Sequence, residues 1–131
     1  MTPATIYSVI MGTISSSWGT ITPIQYPNRP FTAPQSSWIR PVLKFGDTLV
    51  GELGDDGIGM RSGILMISIF GLLGEGIQTL LGYADTLEGL FRKKEISGIV
   101  FNEPMTDDYG RDDEGYYHVL VSVDFTTWVG E

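Results

Sequence analysis

The chain has 131 residues, with 16 acidic side chains against 8 basic ones and a formal net charge of −8. That length fits one domain with a real core and not two. The lack of cysteine removes disulfides, thiolate metal sites and cysteine nucleophiles together, and the acidic balance argues against a nucleic-acid-binding surface, which needs a basic patch.

In chain order, Thr2 is placed to cap a helix and Pro3 to occupy its first turn. Ile6, Val9, Ile10 and Ile14 then give a short amphipathic helix ending near Ser15–Trp18. Residues 19–37 change character. Pro23, Pro27, Pro30 and Pro34 forbid a helix or a central strand and leave an extended arm carrying Tyr26 and Phe31. Such an arm either wraps its own domain or clasps a neighbouring subunit through those two rings.

Trp38–Phe45 alternates, with Ile39, Leu43 and Phe45 to one side and Arg40, Val42 and Lys44 to the other. Pro41 makes it an edge strand. Gly46-Asp47 reads as a turn, with Thr48–Leu53 returning as a short partner, and Gly54-Asp55-Asp56-Gly57 as a second turn. Met60–Phe70 is apolar on both faces, which predicts a strand inside a sheet covered on each side. Gly71–Gly76 makes a glycine turn into a long helix, roughly Glu75–Lys94. Its apolar face is Ile77, Leu80, Leu81, Ala84, Leu87 and Phe91, with Glu75 in the first turn and Arg92, Lys93 and Lys94 in the last. Ile96–Glu103 and Gly115–Val129 read as strands joined by an acidic hairpin loop over 104–115 that holds Asp107, Asp108, Asp112, Asp113 and Glu114. The order predicts an α+β fold: a single domain over 1–131, a mostly antiparallel sheet, a long helix packed on it and a short N-terminal helix.

No stretch carries an active site. Gly71-Leu72-Leu73-Gly74-Glu75-Gly76 lacks both phosphate-binding spacings, and Glu75 would sit where a phosphate should. The acidic loop lacks the alternation of a calcium loop. Lone His118, on the outward face of the last strand, has neither a nucleophile elbow nor metal-ligand company. The expectation is therefore no enzyme, no cofactor and no metal. Met1-Thr2-Pro3 has no charged leader and the longest apolar run, Ile64–Leu73, is half a membrane span, which predicts a soluble protein made in the cytoplasm. Gly82 and Gly89, seven residues apart in the long helix, cost about 1 kcal/mol each relative to alanine. They suit close approach of another backbone, from this chain or from a second subunit. Arg61, flanking the apolar strand, calls for a partner such as Asp85 or Glu52.

The order Pro27-Asn28, Phe31, Pro34, Trp38, Arg61-x-Gly63, Gly74-x-Gly76, Ala84-Asp85, Phe91 and the closing strand Tyr117–Phe125 resembles the tail terminator-like proteins of long-tailed bacteriophages. Gly71 departs from that pattern, where a proline is often expected. The resemblance implies a structural virion protein at the head-proximal end of the tail. It would form a homo-hexamer ring that caps the tail tube protein, stops polymerisation and meets the head–tail connector protein, while DNA passes through the lumen unread. Tyr26, Phe31, Gly82 and Gly89 are then candidate subunit contacts, and the acidic loop a lumen-facing or partner-facing element. The alternatives are another ring-forming tail or neck subunit, or a small metal-dependent hydrolase using His118 and the acidic loop.

Overall fold

A computed structural model describes residues 2–50, 59–74, 76–112 and 115–129. Helix α1 (Pro3–Trp18) precedes strands β1 (Trp38–Val50) and β2 (Gly59–Leu72). Helix α2 (Gln78–Phe91), β3 (Glu95–Ile96), β4 (Ile99–Phe101), β5 (Met105–Arg111) and β6 (Tyr116–Val129) follow. The named strands form one six-stranded antiparallel sheet in the order β1-β2-β6-β4-β3, with β5 also on β6. The predicted α+β class holds.

Both helices lie on one face of that sheet. Ile6, Ile10, Ile14 and Trp18 of α1 and Leu80, Ala84, Leu87 and Phe91 of α2 share one core with Ile39, Leu65, Ile67, Ile69, Val119, Val121, Val123 and Phe125. The start of α1 is as the sequence demands: Thr2 Oγ1 accepts from the Thr5 N–H at 3.2 Å and Pro3 opens the first turn. Trp18 closes it, buried, with its indole N–H donating to Thr22 Oγ1 at 2.9 Å.

Several expectations change. The helix after the apolar strand has 14 residues and α1 has 16, so the N-terminal helix is the longer one. Gly74 and Gly76, at φ +85° and +81°, hold the strand-to-helix reversal in left-handed backbone that delays the helix start. The predicted dipole match is also gone. Glu75 lies outside the described residues, Arg92 is already the C-cap, and no basic residue falls in the last turn of α2. Gly46-Asp47 is no turn: β1 runs straight on, with a register shift between Phe45 and Thr48 that absorbs the extra backbone as a bulge. The Gly54–Gly57 signal lies outside the described residues. Ile96–Glu103 splits into the β3–β4 hairpin, because Ser97 and Gly98 both take positive φ.

The acidic 104–115 segment is mostly strand. Met105–Arg111 pairs with β6 from Ser122 to Tyr117. Strand β2 is central, but the helices cover only its Leu65, Ile67 and Ile69 face. The opposite face, with Ile64 and Met66 half-buried, has no helix on it among the described residues.

Candidate functional site

The sheet face away from the helices carries Arg40, Val42 and Lys44 from β1, Ile64, Met66, Ser68 and Phe70 from β2, and His118, Leu120, Ser122 and Asp124 from β6. Strand β5 adds Met105 and Asp107, in register with Ser122 and Leu120. A half-buried antiparallel sheet shows this alternation as a matter of course. The apolar content of the uncovered side is what stands out. Met105 and Tyr109 are 62% and 58% exposed on the β5 edge.

At one end of this face the aromatics form a row. Trp38, Phe70, His118 and Gly110 are successive register partners across β1, β2, β6 and β5. Trp38 stacks on Phe70 with centroids 4.8 Å apart, and Phe70 stacks on His118 at 4.8 Å and 14°. Tyr109 meets His118 at 5.4 Å, Tyr116 meets Trp38 edge-on at 4.8 Å, and the Arg40 guanidinium sits 4.9 Å from the Phe70 centroid. Directly opposed aromatic pairs are the strongest cross-strand contacts a sheet offers. This row therefore fixes the strand register at that end.

His118 is bound into the row rather than free on the surface. Burial, and then the nearby Arg40 cation, hold its imidazole below the ordinary histidine range, against an opposing pull from Asp112. Its Nε2 is buried without a hydrogen-bond partner among the described residues. No group of three His, Asp or Glu among the described residues could hold a metal ion, and no helix among them is long and apolar enough to cross a membrane.

The arm over 19–37 lies first along its own β1. Gln25 N–H donates to the Ile39 carbonyl at 2.8 Å, Ile39 N–H donates to the Pro23 carbonyl at 3.1 Å, and Trp38 Nε1–H donates to Gln25 Oε1 at 3.1 Å. Tyr26 packs half-buried on the core, and Phe31 approaches Trp38 with centroids 6.0 Å apart. Both candidate contact rings thus engage their own chain. Gly82 and Gly89 behave oppositely. A Cβ built at either would meet nothing within 4 Å, so among the described residues no helix or loop fills that side of α2.

The acidic residues divide by role. Asp108 accepts from the Gly110 N–H and from the Tyr117 hydroxyl, both at 2.9 Å. Asp112 Oδ1 accepts from the Tyr116 N–H at 2.9 Å and its own N–H donates to the Tyr116 carbonyl at 2.8 Å. These two carboxylates hold the β5–β6 hairpin. Asp107 is exposed and makes no ion pair or hydrogen bond among the described residues. Asp113 and Glu114 lie outside the described residues. On the helix side, Glu88 of α2 bonds Arg92 and Thr106, and Arg92 Nε–H donates to Glu103 at 2.8 Å, tying α2 to the start of β5. Asp85 is not the partner of Arg61, whose Nε is buried without an acceptor among the described residues; Glu52 lies outside them.

Sequence reasoning missed the aromatic row and the open face. The residues were readable, since Trp38, Phe70 and His118 each stand near a strand end. Their alignment depends on register, which period-2 alternation does not supply.

The family model described as "Phage tail terminator protein" matches residues 5–125. A solved protein structure superposes with a TM-score of 0.74 at 17% identity, covering 97% of this chain and 96% of that one, which shows a shared fold. No curated protein matches the chain.

Proposed function

The chain belongs to the phage tail terminator family, a family of structural virion tail proteins, and from that membership we propose that it is the ring subunit that ends the tail tube. In this reading six copies close into a ring on the head-proximal end of the tube. One rim meets the tube protein and stops its growth, and the other meets the head–tail connector. DNA passes through the lumen without being read.

The observation that carries the reading is the family match over 5–125, joined to a sheet face on which no described helix lies. Exposed apolar side chains at the rim of such a face, here Met105 and Tyr109, are what assembling subunits use for contacts. The net charge of −8 supports the passage of DNA, because a lumen of like sign does not hold phosphates. The family resemblance and the bonding of His118 into an aromatic row both favour a structural role over catalysis.

Purified tail tubes grown with and without the protein provide the test, read by electron microscopy. The expected result is rings on one end only and tubes that stop lengthening. Incorporation along the tube would make the chain a tube-like subunit, and no binding to tube ends would overturn the reading.

A further inference from the structure

A cleft opens between the arm and the aromatic end of the sheet. Gln25 and Pro23 bond to Ile39, and Ile24 forms a parallel bridge with it, so residues 26–37 leave the sheet and return to the same point as a compact Ω-loop. Between this loop and the sheet lies a space of about 250 Å³. Its walls are Phe31 of the loop, Trp38 and Arg40 of β1, Phe70 of β2, and Asp112 and Tyr116 of the β5–β6 hairpin.

The hydrogen-bonding capacity of the cleft is lopsided. The Arg40 guanidinium rests on the Phe70 ring and makes no hydrogen bond or ion pair among the described residues. The Tyr116 hydroxyl likewise has no hydrogen-bond partner among them. The side-chain acceptors are already engaged: Gln25 Oε1 receives the Trp38 indole N–H, and Asp112 Oδ1 the Tyr116 N–H. Donors without acceptors, set among aromatic rings, call for a ligand that brings acceptors and flat apolar surface. One guanidinium stands against one carboxylate, so the ligand that fits carries no net charge.

We propose that this cleft binds a proline-rich segment of a partner protein in the polyproline II conformation. Such a chain has no amide hydrogens at its prolines and leaves its carbonyls unbonded, so it needs donors and supplies none. Its rings pack on aromatic walls, and its stiff backbone loses little entropy on docking. Arg40 and the Tyr116 hydroxyl donate to its carbonyls, while a proline ring lies against the aromatic walls. A single nucleic-acid strand would also stack on rings and bond an arginine. It is disfavoured here, because Asp112 shares the cleft with its one cation and the whole chain carries a charge of −8. The site does not depend on the ring reading.

The test uses the full chain, isotope-labelled for NMR, and an acetylated, amidated oligoproline peptide, with an oligothymidylate of equal length as the anionic comparison. About two proline residues, roughly 14 heavy atoms, enter the cleft, which at ordinary ligand efficiency gives a Kd of about 1 mM. The Trp38 indole N–H signal should shift saturably with the peptide, while that of Trp18, bonded to Thr22 in the core, stays in place. Arg40→Gln should raise Kd at least about tenfold and Tyr116→Phe by a smaller factor, with the unmoved Trp18 signal showing that each variant is folded. No saturable shift of Trp38, or an unchanged Kd in Arg40→Gln, would overturn the proposal. A Trp38 shift with oligothymidylate and none with oligoproline would overturn it in favour of a nucleic-acid site.

Discussion

Replacing Gly82 and Gly89 with alanine separates the stability of the subunit from its assembly. Both positions lie inside α2, and a Cβ at either meets nothing within 4 Å. Neither has the positive φ that would make a side chain strained. The gain is then the helix propensity difference, about 1 kcal/mol at each site. Seven residues along a helix separate them by about 10 Å, far enough for the two gains to add to roughly 2 kcal/mol. For a chain of this size that shifts the melting temperature by about 7 °C. Urea unfolding of dilute subunit should show a higher midpoint with unchanged slope. If the glycines admit a neighbouring backbone, the same double variant should fail to form rings at concentrations where the natural chain forms them. A midpoint that does not rise would refute the helix argument. Stabilised protein that assembles normally would remove Gly82 and Gly89 from the subunit contact.

Gly63→Ala should do the reverse and destabilise by about 1–3 kcal/mol, because its Cβ would fall 2.5 Å from the Phe125 ring and 2.6 Å from the Lys44 carbonyl oxygen, and backbone cannot step aside; a neutral result in urea unfolding would contradict that packing. Thr22→Val leaves the buried Trp18 indole N–H without its acceptor and should cost about 1–3 kcal/mol in the same assay, with Thr22→Ser retaining most of the stability. For His118, the folded pKa lies below the unfolded value of about 6.5, so the unfolded chain takes up the proton first as pH falls. Its contribution is intact above that pH and is lost progressively below it. His118→Phe, which can keep the stack on Phe70, should flatten that step; equal pH dependence in the two proteins would show that the ring titrates normally.

Much of the fold was legible because local signals and tertiary demands agreed. Thr2, Pro3 and the isoleucine spacing placed α1, and strict alternation from Tyr117 to Phe125 placed β6 and its inward face. The failures share a cause. Asp107, Asp108 and Gly110 are poor strand formers, yet β6 supplies a long unpaired edge and recruits them as β5. Gly46-Asp47 has turn composition, but β2 is long enough to hold β1 straight past it. The apolar second face of β2 was read from Ile64, Met66 and Phe70, together with a cover on each side, and the described residues put their helices on the first side alone. A sequence shows that a surface wants burial, not whether the cover comes from the same chain. The candidate site was less legible still, since Trp38, Phe70 and His118 become neighbours only through a register set by 14 paired residues.

Strand β6 has a consequence for how the molecule comes into being. It pairs with β2 along its whole length and shares its other edge between β5 and β4, yet it is the last of these elements to leave the ribosome. Strand β2, apolar on both faces, is made long before its principal partner exists. Native pairing must wait for contacts of high sequence separation, which slows folding and leaves a sticky intermediate. Pro41, on the edge strand beside β2, then acts in time as well as in space. It delays wrong pairings until β6 arrives, and the open sheet face is completed in the same step as the core.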